Sequence, residues 1–347
     1  MSKISEIDKN FKVETKLNKN DIRFYNARVE PFKIYGIYHE DGMFRRMPEE
    51  VAKTVSNGVH FLHANTAGGR VRFKTDSSYV AISVKHGEIT RMDHFPLCGT
   101  AGFDLYADDV YVKTFRPPYD MVDGYENLME IGEPRMREIT INFPLYSEVR
   151  ELYIGLAESA QLLEPSPYRN EKPVVYYGSS VTQGGCASRP GTSYQAFVSR
   201  ALNLDYINLG FSGNAKAEDE MIDYIASLDM SAYVCDYDYN APTYEHLEKT
   251  HEKMFLAVRE KHPNMPILLL GMPKFTLIGE DKRRLDFIIK KTYENALARG
   301  DRNVYLIDGP TLMALCGNDG TVDNVHPTDF GFHSMAVAVT KVLKDLF

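Results

Sequence analysis

The sequence predicts an α/β protein with two domains: a β-sandwich, followed by a parallel sheet with helices on both faces. In the first half of the chain apolar residues alternate with polar ones, which is typical of half-buried antiparallel strands. In the second half, continuous apolar runs alternate with segments of helical period, as a parallel sheet covered on both faces requires. Between them, LLEPSPYRNEKP holds three prolines in twelve residues, typical of a linker. We therefore expect a boundary near residue 170, with domains at 1–165 and 172–347.

Short alternating runs predict the first domain. The runs with apolar side chains at every second position are RVRFKT, YVAISVKH, EITINF and ELYIGLA. Turn signals such as Asp76-Ser77-Ser78 and Asp108-Asp109 lie between such runs. The one helical candidate in this half is MPEEVAKTVS, so the domain is expected to be almost entirely β.

Continuous apolar runs and the helices between them predict the second domain. The runs are VVYY, YINL, AYVC, ILLLG and VYLI. After the first run, residues at helical spacing form one apolar face: Tyr194, Phe197, Val198, Ala201 and Leu202. The segments that begin at Leu285 and Phe332 show the same period, so helices should separate the strands.

The composition, 44% hydrophobic and 25% charged, is that of a globular protein. A formal net charge of −8 argues against nucleic-acid binding, because phosphate recognition needs a basic face. The first residues lack the apolar core of a secretory signal, and no run approaches the length of a membrane span. Cys98, Cys186, Cys235 and Cys316 are scattered, which predicts neither disulfides nor a zinc site. We expect a soluble cytoplasmic protein that binds neither nucleic acid nor membrane.

Polar residues follow the apolar runs where open α/β sheets bind ligands, beyond the carboxyl ends of the strands. Gly178-Ser179-Ser180 follows the first run, NLGFSGN (208–214) the second and DYDYN (236–240) the third. Asp323 and His326 precede the last helix. A catalytic serine needs a base, a carboxylate that holds the base, and donors for the developing oxyanion. A candidate for each role therefore stands beside a predicted element of the sheet.

In this order, the blocks resemble those of the SGNH (GDSL-type) hydrolases: Gly-Asp-Ser-x-Thr-x-Gly, a glycine, an asparagine, and Asp-x-x-His. The first block here is GSSVTQG, from Gly178 to Gly184, and the others are Gly213, Asn240 and Asp323-x-x-His326. Two positions depart from the pattern. Ser179 stands where the family usually has aspartate, and Asp238 where the third block usually has glycine.

The resemblance implies a role for each matching residue. Ser180 would be the nucleophile, His326 the base and Asp323 its orienting partner. The oxyanion hole would consist of the N–H groups of Ser180 and Gly213 and the side-chain amide of Asn240. No cofactor and no metal are implied. A metal at Asp236 and Asp238, or at His60 and His63, is a weaker hypothesis, because neither pair is part of a recognised ligand pattern.

The first half also resembles the β-sandwich that precedes some of these hydrolases and carries a Gly-x-Asp-Leu-Tyr signature. Here the signature is Gly102-Phe103-Asp104-Leu105-Tyr106. With both resemblances, the expected fold is a three-layer, flavodoxin-like SGNH hydrolase domain of the α/β class after a jelly-roll-like sandwich. No role in catalysis is implied for the sandwich, although it could shape the substrate site. Asp104 is expected to be a turn or hydrogen-bonding residue that organises the sandwich.

The expected function is that of a serine esterase that cleaves a small acyl ester through an acyl-enzyme. By resemblance, an acetylated carbohydrate is one candidate substrate, and a lysophospholipid or another short ester stays open. An acyltransferase or a thioesterase would use the same residues, and a carbohydrate-binding protein with an inactive hydrolase domain is a further alternative. The expected partner is a small-molecule ester, and association into a homo-oligomer stays open.

Overall fold

The computed structural model describes residues 17–347, which divide into two compact units. The N-terminal unit comprises the residues up to Arg45, Ala64–Pro167 and Arg189–Gly191. The C-terminal unit comprises Arg46–His63, Tyr168–Ser188 and Thr192–Phe347. Residues 46–63 thus count with the C-terminal unit although they precede the linker. Residues 189–191 count with the N-terminal unit although they follow it.

Antiparallel strands build the N-terminal unit. They are β1 (Ile22–Asn26), β2 (Lys33–Tyr35), β3 (Tyr38–Glu40), β4 (Met43–Arg45), β5 (Arg70–Thr75), β6 (Tyr79–Ile89), β7 (Phe103–Ala107), β8 (Val110–Phe115), β9 (Gly124–Glu130), β10 (Arg137–Asn142), β11 (Ser147–Ala157) and β12 (Leu162–Leu163). One sheet has the order β1-β11-β6-β9, and the other β12-β5-β10-β7-β8 with β2 also paired to β5. Strands β3 and β4 pair as a separate ribbon. The predicted runs RVRFKT, YVAISVKH, EITINF and ELYIGLA supply β5, β6, β10 and β11.

Side chains of both large sheets share one buried core. They include Ile82 and Ile154 of the first sheet and Phe73, Leu105 and Ile141 of the second. This confirms an N-terminal domain of antiparallel sheets. However, the alternating pattern of apolar and polar residues does not place every polar side chain in water. On β5 the guanidinium groups of Arg70 and Arg72 are buried as well, and Arg72 pairs with Glu138 at 3.3 Å.

A parallel sheet forms the centre of the C-terminal unit. Its strands are β13 (Val174–Gly178), β14 (Tyr206–Gly210), β15 (Ala232–Asp236), β16 (Ile267–Leu270) and β17 (Val304–Ile307). They are the predicted apolar runs, and they pair in parallel in the order β14-β13-β15-β16-β17. This is the 2-1-3-4-5 order of a doubly wound sheet, and it confirms the predicted parallel sheet. The carboxyl ends of β13, β14 and β15 are neighbours.

Helices connect these strands and follow the last of them. They are α4 (Ser180–Gln183), α5 (Tyr194–Leu202), α6 (Asp219–Ser227), α7 (Tyr244–Lys261), α8 (Gly279–Arg284), α9 (Lys290–Ala298), α10 (Gly309–Leu312) and α11 (Asp329–Leu343). The period that begins at Leu285 is a π-helical turn between α8 and α9 that buries Leu285, Ile288 and Ile289. No helix in the described part of the chain is long and apolar enough to cross a membrane.

The N-terminal half also contains α1 (Glu49–Val55), α2 (Asn57–Leu62) and α3 (Leu97–Thr100), of which only α1 was predicted. Helix α2 begins directly after α1 because Ser56 caps it, accepting a hydrogen bond from the Val59 N–H at 3.2 Å. Side chains of α1 and α2 belong to the core of the parallel sheet, and they include Ala52 and Val59. This explains why residues 46–63 count with the C-terminal unit.

Candidate active site

The two adjacent serines follow β13 at the point where the strand becomes helix α4. The Ser179 hydroxyl accepts a hydrogen bond from the Val181 N–H at 3.2 Å and so caps the helix. Ser180 is consequently the first helical residue. The helix ends one turn later at Gly184, whose φ of +102° is a left-handed conformation that glycine adopts without strain. Strand, cap and turn together fix the direction of the Ser180 side chain.

The structure brings Ser180, His326 and Asp323 together as a chain of hydrogen bonds. Ser180 Oγ lies 2.9 Å from His326 Nε2, and His326 Nδ1 lies 2.7 Å from Asp323 Oδ2. Because the carboxylate accepts the proton on Nδ1, a neutral imidazole keeps Nε2 free to accept one from the serine hydroxyl. This arrangement can convert a hydroxyl into a nucleophile.

Asp323 is held in the anionic form. Its second oxygen accepts the backbone N–H groups of His326 at 2.8 Å and Val325 at 3.0 Å. Partial burial raises the pKa of Asp323, but these bonds and the one from the imidazole outweigh it and lower the pKa to about 2. At neutral pH the side chain is therefore a carboxylate that stabilises a protonated His326.

Gly213 and Asn240 lie in the loops that follow β14 and β15. Gly213 has a φ of +70°, which favours glycine. Asn240 Oδ1 accepts a hydrogen bond from the Ala215 N–H at 3.3 Å, which joins the two loops and leaves the NH₂ group of the amide as a donor. The Gly213 loop is also tied to α4, because the Ser212 N–H donates to Gln183 Oε1 at 3.0 Å.

Side chains from three other elements, β15, α5 and β14, hold α4 through Thr182. The Thr182 hydroxyl donates to Asp236 Oδ2 at 2.7 Å. The Thr182 carbonyl accepts the side-chain amides of Gln195 and Asn208, each at 2.7 Å. Thr182 belongs to the sequence block, but its partners lie on other elements. A carboxylate therefore contacts the serine helix although position 179 holds serine.

Asp236, the acidic group bonded to Thr182, ends β15, and Asp238 follows two residues later; both are buried. In the described part of the chain, one oxygen of each has no hydrogen-bond partner. Burial raises the pKa of Asp236, against the effect of the Thr182 and Tyr194 hydroxyls. Burial and then the charge of Asp236 raise the pKa of Asp238. The pair therefore holds protons more readily than exposed carboxyl groups do.

Arg46 supports the strand from which the Gly213 loop leaves. Its buried guanidinium donates to the carbonyls of Asn208 at 3.2 Å, Gly210 at 2.6 Å and Leu62 at 2.6 Å. It also lies 4.8 Å from the centroid of the Phe211 ring. No sequence signal marked Arg46, because its partners are backbone carbonyls. Those on β14 lie more than a hundred positions away in the chain.

Two family profiles match the chain. Residues 171–344 match the GDSL-like lipase/acylhydrolase family. Residues 22–162 match the GxDLY region, described as the N-terminus of SGNH-hydrolase-type esterases. Together they cover both halves of the chain on either side of the proline-rich linker. No curated protein matches the sequence significantly.

Solved structures share the fold over most of the chain. A Bacteroides ovatus ATCC 8483 protein assigned to the GDSL-like lipases is 26% identical, with a TM-score of 0.82 over 94% of this chain and 98% of its own. The salicylyl-acyltransferase SsfX3 of a tetracycline biosynthetic pathway is 19% identical, with a TM-score of 0.76 over 94% and 98%. An acetyl xylan esterase, Est2A, of the rumen bacterium Butyrivibrio proteoclasticus is 12% identical, with a TM-score of 0.62 over 93% and 98%.

The profile matches and the similarity to the first of these structures confirm the resemblance drawn from the sequence blocks. The chain therefore belongs to the GDSL-like lipase/acylhydrolase family of carboxylic ester hydrolases and carries the GxDLY region of the SGNH-type esterases at its N-terminal side.

Proposed function

We propose that the chain is a serine esterase that hydrolyses a small acyl ester through an acyl-enzyme. The observation that carries this proposal is the hydrogen-bonded chain from Ser180 through His326 to Asp323. Ser180 Oγ attacks the carbonyl carbon while its proton passes to His326 Nε2. The tetrahedral intermediate collapses, His326 returns the proton to the departing alcohol, and the acyl group stays on Ser180. Water then attacks with His326 as base, releasing the acid and regenerating the serine.

The oxyanion of each tetrahedral intermediate would receive hydrogen bonds from the N–H groups of Ser180 and Gly213 and from the Asn240 amide. The hydrogen bond from the Ala215 N–H to Asn240 Oδ1 supports this assignment, because it occupies the amide oxygen and leaves the NH₂ group of Asn240 as a donor. Neither metal nor cofactor has a role in this mechanism.

An acetylated carbohydrate is the substrate class we favour. The fold is shared with an acetyl xylan esterase and with a family two carbohydrate esterase from Cellvibrio japonicus, which has a TM-score of 0.62. Acetyl transfer needs room for only a small acyl group beside the serine, whereas the alcohol part of the ester sets the rest of the specificity.

An acyltransferase is the second candidate, and one observation favours it. The TM-score to the salicylyl-acyltransferase, 0.76, exceeds the 0.62 found for the acetyl xylan esterase. Both activities share the acyl-enzyme and differ only in whether an alcohol or water attacks it. Adding sugar alcohols or other acceptors to the assay, and measuring transferred against hydrolysed acyl groups, separates the two.

The proposed activity is tested with p-nitrophenyl acetate and p-nitrophenyl butyrate. We expect turnover by the wild type and a fall of at least about 10³-fold in Ser180→Ala, because the nucleophile is lost. A fluorophosphonate should label the wild type and fail to label Ser180→Ala. Turnover that survives unchanged in Ser180→Ala would sink the assignment. An inactive wild type that binds sugars tightly would favour the carbohydrate-binding alternative.

For the N-terminal unit we propose a jelly-roll-like sandwich, which the core shared by its two antiparallel sheets supports. A cytoplasmic location stays a prediction from the sequence.

A further inference from the structure

Asp104, the acidic residue of the Gly-x-Asp-Leu-Tyr signature, lies on β7 with its carboxylate completely buried. One oxygen accepts the side-chain amide of Asn142 on the neighbouring β10 at 2.8 Å. The other accepts the Gly191 N–H at 2.8 Å and the Arg189 guanidinium at 2.8 Å. Two of the three donors thus come from residues 189–191, the segment that counts with the N-terminal unit although it follows α4 in the chain.

Tyr106, the last residue of the signature, also contacts this segment. The Tyr106 hydroxyl donates to the Gly191 carbonyl at 3.3 Å and accepts a bond from Arg189. The Arg189 guanidinium also lies 3.7 Å from the centroid of the Tyr111 ring. A Cβ at Gly191 would lie 2.6 Å from both Asp104 Oδ2 and the Tyr106 hydroxyl, so a larger residue would displace these two side chains.

The segment lies in the loop that joins α4, which begins with Ser180, to α5. Its two flanks are fixed as well. The Ser188 N–H at 2.8 Å and the Thr192 hydroxyl at 2.7 Å both donate to Asp329, and so does the Ser188 hydroxyl. Asp329 is the first residue of α11 and stands three positions after His326. The loop is therefore held by one carboxylate at its middle and by another at both flanks.

Helix α4 has only four residues, and a helix this short is not stable by itself. Its orientation must come from what surrounds it, and the loop that leaves it is one of those restraints. A shift of about 1 Å in a nucleophile can lower a rate by about 10²-fold. Groups that hold this loop therefore bear on the reaction without touching the substrate.

We propose that Asp104 is a positioning residue: through Gly191 and Arg189 it fixes the loop after α4 and thereby the orientation of Ser180 toward His326. The proposal rests on the proposed esterase function. It gives the signature of the N-terminal unit a task in the reaction rather than in sheet packing alone.

The test uses the full chain with the variants Asp104→Asn and Arg189→Met. Tyr125→Phe is the matched control, because it removes a buried hydrogen bond of the same unit, to the Phe115 carbonyl at 2.7 Å, that does not touch the loop. Four quantities are measured in each protein: kcat and KM with p-nitrophenyl acetate, the rate of fluorophosphonate labelling, and hydrogen–deuterium exchange of peptides spanning residues 180–193.

We expect both loop variants to exchange faster over 180–193, with kcat and the labelling rate lowered about 10–10²-fold and KM nearly unchanged. Tyr125→Phe should lower Tm and leave these rates as in the wild type. Folded Asp104→Asn with wild-type exchange, or faster exchange with wild-type kcat, would overturn the proposal. If Asp104→Asn does not fold, the exchange and the kcat of Arg189→Met decide by the same criteria. A wild type that neither turns over nor is labelled refutes the esterase, and exchange alone then decides whether Asp104 fixes the loop.

Discussion

At the scale of single residues, the two serines after β13 have separate tasks. The Ser179 hydroxyl caps α4, whereas the Ser180 hydroxyl meets the imidazole of His326. The family's usual aspartate at position 179 is replaced by a residue that is equally able to cap a helix. The carboxylate that contacts α4 comes instead from Asp236, on the neighbouring strand β15.

We therefore expect Ser179→Ala to keep most of the esterase activity while losing the cap. The loss in the free energy of unfolding should be about 1 kcal/mol, as for other serine caps. Chemical denaturation and turnover of p-nitrophenyl acetate measure the two effects separately. A loss of turnover as complete as that of Ser180→Ala would contradict the choice of Ser180 over Ser179 as the nucleophile.

Asp323 should remain ionised over the whole range in which the protein is folded and active. Its pKa of about 2 lies below the value of about 3.9 that an aspartate has in an unfolded chain. Its ionisation therefore stabilises the fold above about pH 4, and this stabilisation is lost as the pH falls through 2. The free energy of unfolding should be higher for the wild type than for Asp323→Asn at neutral pH. Measured against pH, this advantage of the wild type should shrink only below about pH 4. An advantage that already shrinks between neutral pH and about pH 5 would contradict the lowered pKa.

The same substitution should lower kcat by about 10²–10⁴-fold, because an amide no longer holds the imidazole in the required tautomer. KM should change little, since Asp323 does not contact the substrate in the proposed mechanism. A kcat close to that of the wild type would show that His326 is oriented by another group.

Cys186, in the loop after α4, should react slowly with thiol reagents. Burial, and then the charge of Asp323, raises the pKa of this thiol to about 12, so little thiolate exists at neutral pH. We expect iodoacetamide to leave turnover intact and mass spectrometry to find Cys186 unmodified. Rapid modification with loss of turnover would mean that the loop opens readily.

At the scale of elements, local patterns predicted what depends on local sequence. Every strand of the parallel sheet coincides with an apolar run, and α5 and α11 follow the apolar period. Helix α2 was missed because a serine cap, not a hydrophobic pattern, begins it. Ser180, Asp323 and His326 could be found because they stand in motifs. The contacts of Asp236 and Arg46 could not, because each joins elements distant in sequence.

Arg46 offers a prediction at this scale, since it fastens the end of β14. Arg46→Met leaves the carbonyls of Asn208, Gly210 and Leu62 without this donor, and we expect a loss of roughly 2–4 kcal/mol in the free energy of unfolding. Turnover should fall as well, because the Gly213 loop begins at this strand end. Arg46→Lys should recover only part of both, since one ammonium cannot reproduce a planar fork. An unchanged midpoint in urea would show that the strand end is held by other contacts.

At the scale of the whole molecule, the division of the chain between the two units is what no local pattern could predict. Residues 46–63 read as part of the N-terminal half, yet their side chains complete the core of the parallel sheet. The membership depends on packing between residues far apart in sequence, whereas the proline-rich linker is visible locally.

A fragment of residues 172–347 therefore lacks part of its own core. Without α1 and α2, this core, which also contains Leu209, Phe211 and Met221, loses the side chains of Ala52, Val55, Val59 and Leu62. We expect the fragment to show no cooperative thermal unfolding transition, to bind a hydrophobic dye and to show no ester turnover. The full chain is the control. A fragment with a sharp thermal transition and wild-type turnover would show that the parallel sheet is self-sufficient.

The early place of α1 and α2 in the chain has a consequence for synthesis on the ribosome. Their apolar side chains emerge well before those of strand β14, which belong to the same core. At about 5–20 residues per second, the interval between Leu62 and Tyr206 is roughly 7–29 s. During this interval the apolar side chains of the segment lack their partners on β14, and helices of seven and six residues are not stable by themselves. The order of translation thus delays the folding of this segment until the parallel sheet has been synthesised.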